Sequence, residues 1–121
     1  EINEISRPFY TDTTYEYKDQ RLAGLFSDFG PFWYRGYYKG IPKATLGQID
    51  STLEFYNTRH IATGHTIIAE HITTLYKGKV INTDVHHADG HSEALLVEKG
   101  KFFRVNAAGE RFPLVQLKTS D

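Results

Sequence analysis

The sequence predicts an α+β fold, with helices in the first half and a curved antiparallel sheet in the second. In the first half, apolar residues recur at the spacing of three and four that a helix requires. After His60 the apolar period changes to two, and glycine-containing turns separate the segments. With 121 residues, of which 40% are hydrophobic and 24% charged, the chain has the size and composition of one globular domain. We therefore interpret residues 1–121 as a single domain.

The first predicted helix covers residues 11–29. Its apolar positions follow helical spacing: Tyr15, Leu22, Leu25, Phe26 and Phe29. The pair Gly30-Pro31 is expected to end this helix, because proline lacks a backbone donor and disfavours helical geometry in the preceding residue. The aromatic segment 31–38, which contains Phe32, Trp33 and Tyr34, is predicted to form a short strand or a packed turn.

A second helix is predicted to begin near Thr45. The run Thr45-Leu46-Gly47-Gln48 matches a capping box, in which the hydroxyl and the amide side chain satisfy exposed backbone donors reciprocally. The helix should fade over residues 57–59, where short polar side chains compete for backbone bonds. Its buried stripe is predicted to be Leu46, Ile49, Leu53 and Tyr56.

Five strands are predicted at residues 65–76, 79–87, 92–98, 101–106 and 111–117, separated by turns at Lys77-Gly78, Asp89-Gly90, Lys99-Gly100 and Ala108-Gly109. A two-residue turn at Lys77-Gly78 would pair Tyr76 with Lys79. Continuing this register along the hairpin places His71 opposite Asp84 and Ala69 opposite His86. The opposite face of this hairpin is the expected core surface, formed by Ile68, Ile72, Ile81 and Val85.

Charge and composition restrict the partners. Lysine and arginine number 14 against 15 aspartates and glutamates, so no nucleic-acid or membrane partner is expected. The chain contains no cysteine and no apolar run of the roughly 20 residues that span a bilayer. We expect a soluble protein, cytoplasmic in preference to secreted, that acts on a small-molecule substrate and that can form a homo-oligomer.

Six histidines in the second half are the main chemical signal: His60, His65, His71, His86, His87 and His91. Imidazole transfers protons near neutral pH, so these residues are candidate general acids or bases. A metal site would need about three of them together with Asp84 or Glu93, but the sequence contains no HExxH motif, and no metal is expected. We interpret His87 and His91 as ordinary exposed residues.

Tyrosine and histidine together suggest a second kind of site. Phenol donors can hold a carbonyl oxygen while an imidazole moves a proton on the adjacent carbon. Helices across a curved sheet form a cone-like fold with an internal pocket, whose walls can include Phe32, Trp33 and Tyr34. The alternative is that these rings are core residues.

Several short segments resemble the scytalone dehydratase group of the nuclear transport factor 2-like superfamily: Tyr15-Glu16-Tyr17-Lys18-Asp19, Arg21-Leu22, Trp33-Tyr34-Arg35, Thr58-Arg59-His60 and Gly90-His91-Ser92. This resemblance implies a cone of helices against a curved sheet. It also implies dehydratase, isomerase or polyketide cyclase activity that needs no cofactor.

The resemblance assigns roles to individual residues. Tyr34 and Tyr15 match tyrosines that hold the substrate carbonyl through water, and His60 matches the proton-transferring histidine. Glu16 stands where the group has an aspartate that orients this histidine. The second histidine of the group has no aligned counterpart, and His71 or His86 from the strand face is its expected substitute. Ser92 matches one member of a serine and amide pair of the group, and Ala94 stands in the place of the other. The predicted substrate contacts are Trp33, Phe32, Ser92 and Tyr56.

The favoured hypothesis is a cofactor-free lyase or isomerase, acting by histidine acid/base catalysis beside a carbonyl of a small cyclic or polyketide-like compound. The first alternative is a non-catalytic small-molecule-binding or dimerisation module on the same fold. The second is a metal-independent ribonuclease of the bacterial toxin type, using paired histidines with Lys77 or Lys79. Tyr34-Arg35-Gly36 and Glu93-Ala94-Leu95-Leu96 also resemble segments of ADP-ribosyltransferases, although the chain is short for that fold.

Overall fold

The computed structural model describes residues 2–12, 14, 20–40 and 42–117, and it confirms a small α+β protein. The chain divides into two compact units, Glu1–Lys43 and Ala44–Asp121. The interpretation as a single domain stays a prediction. Within the described ranges, no helix has the length and apolar character that crossing a membrane would require.

Among its described residues, the first unit contains two short helices, α1 (Ile2–Thr11) and α2 (Gln20–Leu25). The rings of Phe9 and Tyr10 contact that of Phe26, with centroid separations of 4.9 and 5.9 Å. Helix α1 was not predicted. Helix α2 lies within the predicted helix 11–29 but ends at Leu25, because the hydroxyl of Ser27 bonds to the carbonyl of Gly24 and the chain turns there.

The aromatic segment 31–38 forms turns, as one of the two predicted alternatives required. The amides of Trp33 and Tyr34 both donate to the carbonyl of Gly30, and the amide of Tyr38 donates to that of Arg35. A methyl group at Gly30 would lie 2.3 Å from the carbonyl oxygens of Gly24 and Leu25, so only glycine fits at this crossing.

Helix α3 (Leu46–Phe55) begins the second unit and confirms the predicted capping box. The Gln48 amide donates to the Thr45 hydroxyl, and the Gln48 side chain accepts from the Thr45 amide. At its other end Asn57 is left-handed, with φ of 48°, and the Thr58 amide reaches the carbonyl of Leu53, which is a Schellman motif. Ile49 and Leu53 are buried as predicted, whereas Tyr56 is 68% exposed.

Seven strands follow and form two sheets. The first sheet is mixed and contains β1 (Ile61–Thr63), β2 (Thr73–Leu75), β3 (Val80–Asn82) and β7 (Val115–Gln116), in the order β1-β3-β2-β7. Strand β1 is parallel to β3 and β7 is parallel to β2, while β2 and β3 form an antiparallel hairpin. The second sheet is an antiparallel meander of β4 (Glu93–Glu98), β5 (Lys101–Asn106) and β6 (Arg111–Pro113).

The prediction of one antiparallel sheet is therefore corrected to two sheets, one of them mixed. Within the hairpin the predicted register is confirmed, because Leu75 faces Val80 and Thr73 faces Asn82. The ladder stops at this last pair and does not continue to His71 and Asp84. The cause is Asn82, whose side-chain oxygen accepts the Asp84 amide and bends the chain out of the strand.

The core of the second unit joins its two sheets. Ile72, Ile81 and Val85 are buried in one cluster, which confirms most of the predicted core face. Partly buried side chains from the second sheet and the link to β7 pack against this cluster: Leu95, Phe102 and Leu114. The strands β2 and β3 of the hairpin are buried along their whole length.

Candidate active site at the loop edge of the mixed sheet

The carboxyl ends of β1 and β3 lie at the same edge of the mixed sheet, because the two strands are parallel neighbours. Strand β2 is antiparallel to β3, so its amino end lies there too. In open α/β sheets, ligands bind at the carboxyl ends of parallel strands, and we take this position as the candidate site here. We call the segments 64–72 and 83–92 at this position the loop edge; they carry five of the six histidines.

Asn82 fixes the loop edge from inside the protein. This fully buried side chain donates to the carbonyl of Thr66 at 2.8 Å and accepts the amide of Asp84 at 3.0 Å. It therefore ties the loop after β1 to the loop after β3. His65 lies in the tethered loop with φ of 62°, in the left-handed region that few residues other than glycine occupy.

Replacing Asn82 with Ala should lower the free energy of unfolding by about 2 kcal/mol, because two buried hydrogen bonds are lost and the carbonyl of Thr66 loses this donor. Chemical denaturation of the wild-type and variant chains measures this difference. Gln116→Ala is the control, since it removes an exposed amide from the same sheet and should change stability by less than about 0.5 kcal/mol. Equal effects of both substitutions would contradict the role of Asn82.

A three-residue network lies beside the loop edge. The Glu93 side chain, 8% exposed, accepts hydrogen bonds at Oε1 from Nη1 of Arg104 and at Oε2 from the amide of Ile72. Nδ1 of His71 lies 2.9 Å from the same Oε1 atom. Arg104 is held further by a bond from Nε to the carbonyl of Pro113 and by the ring of Phe112 beneath its guanidinium.

The tautomer of His71 follows from these contacts. Its Nδ1 also lies 3.2 Å from Nη1 of Arg104, but a guanidinium only donates hydrogen bonds. Two donors that converge on one carboxylate oxygen necessarily lie close to each other, so we interpret Nδ1–H as donating to Glu93. The arrangement leaves Nε2 of His71 as the ring nitrogen for acid/base chemistry.

The pKa of Glu93 lies below its ordinary value. Burial of the carboxyl group opposes ionisation, but the Ile72 amide, the Arg104 guanidinium and the His71 ring together outweigh that penalty. Glu93 is therefore a carboxylate at neutral pH and can accept the hydrogen bond from Nδ1–H of His71.

The network forms one wall of a cavity of about 560 Å³. Its other walls come from the loop edge and from the turn after β5, through Glu70, His91, Ser92, Asn106 and Phe112. The volume is in the range of small-ligand sites. His71 is half exposed and opens onto this space, so an imidazole with a fixed tautomer faces a cavity that admits a ligand group.

The sequence-predicted site residues fall in different places. In the second unit, His71 and Ser92 line the cavity. His86 lies between two carboxylates, at 3.8 Å from Glu70 and 3.3 Å from Asp89. His60 is exposed, and its ring centre lies 4.5 Å from that of Phe102. In the first unit lie Trp33, Phe32 and Tyr34. Tyr56 is an exposed residue that contacts Phe55. Tyr15 and Glu16 lie outside the described residues.

Sequence reasoning missed Arg104 and Glu70. Arg104 is 33 residues from His71 and 11 from Glu93, and no local motif connects them. Glu93 was considered only as a metal ligand. In the described ranges, no group of three or more histidine, aspartate or glutamate side chains is arranged to hold a metal ion.

Comparison with known proteins gives a match among solved structures. The cold-active protein tyrosine phosphatase of a psychrophile Shewanella species is 37% identical, with a TM-score of 0.69 over 79% of this chain and 28% of that chain. This chain resembles part of a phosphatase. A 1.1 Å structure described as a cold-active protein tyrosine phosphatase is 37% identical, with a TM-score of 0.67 over 78% of this chain and 27% of that chain. A mutant form of such a phosphatase is also 37% identical, with a TM-score of 0.68 over 79% of this chain and 28% of that chain. No family model and no curated protein matches.

The comparison overturns the family assignment made from the sequence. The resemblance to the scytalone dehydratase group is wrong, and the dehydratase, isomerase and lyase functions that it implied are wrong with it. The binding or dimerisation module and the ribonuclease are also contradicted. The misleading segments were two to five residues long, whereas the phosphatase similarity extends over four-fifths of the chain and its backbone. The roles of Tyr15, Glu16, Tyr34 and His60 at a carbonyl fall with that reaction, and their place in a site stays a prediction.

Proposed function

We propose that this chain is part of a protein tyrosine phosphatase, an enzyme that hydrolyses the phosphate ester of tyrosine. One observation supports this proposal above all, namely 37% identity to such a phosphatase together with a TM-score of 0.69 over 79% of the chain. The chain spans just over a quarter of the length of the phosphatases it matches, so the activity of the whole protein is part of the proposal.

In the proposed reaction, water attacks phosphorus and gives up one proton to the solvent, the bond from phosphorus to the phenolic oxygen breaks, and the phenolic oxygen takes up a proton from Nε2 of the imidazolium form of His71. His71 is the proposed proton donor, because its Nδ1 is held by Glu93 and its Nε2 remains for transfer toward the cavity. His86, beside Glu70 and Asp89, is the second candidate at the loop edge. Glu93 and Arg104 are positioning residues, since they act through His71.

The cavity agrees with a substrate that carries a ring, because Phe112 supplies an apolar surface on its wall. Arg104 and the His71 ring offer hydrogen-bond donors to a phosphate group, while Glu93 offsets the charge of Arg104 and Glu70 adds a second acidic side chain. The proposal does not require the cone-like internal pocket or the homo-oligomer expected from the sequence, and both stay predictions.

The test is phosphate release by the full-length protein that carries these residues. A peptide with one phosphotyrosine should be dephosphorylated at least tenfold faster than the same peptide with phosphoserine, measured as inorganic phosphate under conditions where release is linear in time. The unphosphorylated peptide and the heat-inactivated protein are the blanks. No release from phosphotyrosine above these blanks, or equal rates on both phosphopeptides, would contradict the assignment.

A further inference from the structure

A second cavity lies within the first unit, in the turns after α2. Its volume is about 340 Å³, at the small end of the range for ligand pockets. Its walls include three aromatic rings and three charged side chains: Phe29, Trp33, Tyr34, Asp28, Arg35 and Lys39. Its lining residues fall within 28–40 and at Pro42, and none of them also lines the cavity beside the loop edge.

Its aromatic residues are unusually accessible. Phe29 is 86% exposed and Trp33 is 45% exposed, although large rings normally bury most of their surface. The guanidinium of Arg35 lies 4.4 Å from the centre of the Trp33 ring, and its Nη1 contacts the carbonyl of Trp33 at 3.4 Å. Stacking of this kind orients a guanidinium while leaving most of its five donors for a ligand.

The charge of the cavity is positive. Arg35 and Lys39 face one acidic residue, Asp28, and neither cation forms an ion pair with another residue in the described part of the chain. An anionic ligand would therefore gain two charge-assisted interactions without first displacing an internal carboxylate.

The geometry around Gly36 holds one wall in place. A methyl group there would lie 2.2 Å from Oη of Tyr34, so the Tyr34 ring rests directly against the backbone. The ring also meets that of Tyr37 edge-on, with centroids 5.0 Å apart. The aromatic wall is thus formed by packing within the unit.

We propose that this cavity binds the phosphotyrosine side chain of a peptide, as a recognition site separate from the loop edge. The exposed rings match the phenyl group, and Arg35 and Lys39 match the phosphate. Among protein side chains, phosphotyrosine combines a planar ring with a dianion. The ligand class rests on the proposed function, but binding here is independent of turnover elsewhere.

Trp33 provides the measurement, because it is the chain's one tryptophan. Titration of the 121-residue chain with N-acetyl-phosphotyrosine amide should change its fluorescence saturably, whereas tyrosine amide and inorganic phosphate should each bind at least tenfold more weakly. Arg35→Gln and Lys39→Gln should each weaken binding about tenfold, through loss of one charge-assisted contact. Lys39 is exposed, so its replacement preserves folding.

Lys101→Gln is the matched control, an exposed lysine in the second unit, and it should leave binding unchanged. Equal affinity for inorganic phosphate and phosphotyrosine amide, or unchanged binding in both cavity variants, would overturn the proposal. Intact binding in a protein that releases no phosphate from phosphotyrosine would leave this site in place and remove the proposed function. Release of phosphate from phosphotyrosine without fluorescence-detected binding would rule out this recognition site and leave the proposed function standing.

Discussion

Replacing His71 with Ala is expected to lower kcat for a phosphotyrosine peptide by about 10²- to 10⁴-fold, the range over which a positioned general acid contributes. The structure places this imidazole on the cavity wall with its Nδ1 fixed by Glu93, so its loss removes the proton donor without removing a buried side chain. Steady-state kinetics of the full-length protein measure the effect.

The leaving group separates acid catalysis from simple binding. A phenol more acidic than tyrosine needs less protonation as it departs, so 4-nitrophenyl phosphate should be hydrolysed by His71→Ala with a much smaller loss of kcat. His91→Ala is the matched control, because His91 lines the same cavity without a carboxylate contact in the described ranges, and its kcat should change less than about threefold. Equal losses on both substrates, or equal losses in both variants, would remove His71 from the reaction.

Replacing Glu93 with Ala is expected to lower the free energy of unfolding by about 3 kcal/mol. The substitution leaves the largely buried guanidinium of Arg104 without its carboxylate and the Ile72 amide without its acceptor. Glu98→Ala is the control, because the pair of Glu98 with Arg111 is about half exposed on both sides and should contribute less than about 1 kcal/mol.

The same carboxylate gives stability a defined pH dependence. Because folding lowers the pKa of Glu93, its contribution is complete above its ordinary value of 4.5 and is lost as the pH falls through the lower pKa of the folded state. Denaturation at a series of pH values should show this loss in wild type and a smaller one in Glu93→Ala. Parallel curves for the two proteins would show that Glu93 does not hold the network together.

Local chemistry in the sequence predicted much of the second unit. The capping box at Thr45 determined where α3 begins, and Lys77-Gly78 determined the hairpin register, because both depend on residues within a few positions of each other. Lys99-Gly100 was equally informative, since both residues have positive φ and the flanking strands pair directly across them.

The sequence did not predict the pairing of strands that lie far apart in the chain. Strand β1 has three residues and pairs in parallel with β3, 19 positions along the chain, so neither its length nor its neighbours indicate it. The assembly of His71, Glu93 and Arg104 likewise depends on how the second sheet packs on the first. The histidines pointed toward this region, and the predicted strand face favoured His71 and His86 over His87 and His91 without distinguishing His71 from His86.

The strand order also bears on self-association. The outer strands of the mixed sheet are β1, with three residues, and β7, with two. They pair with the outward-facing backbone groups of β3 and β2. Rims this short offer a foreign peptide few backbone groups with which to continue the sheet. The arrangement therefore limits the continuation of the mixed sheet by a foreign strand, and it leaves the six-residue outer strand β4 of the second sheet as the longer edge of the unit.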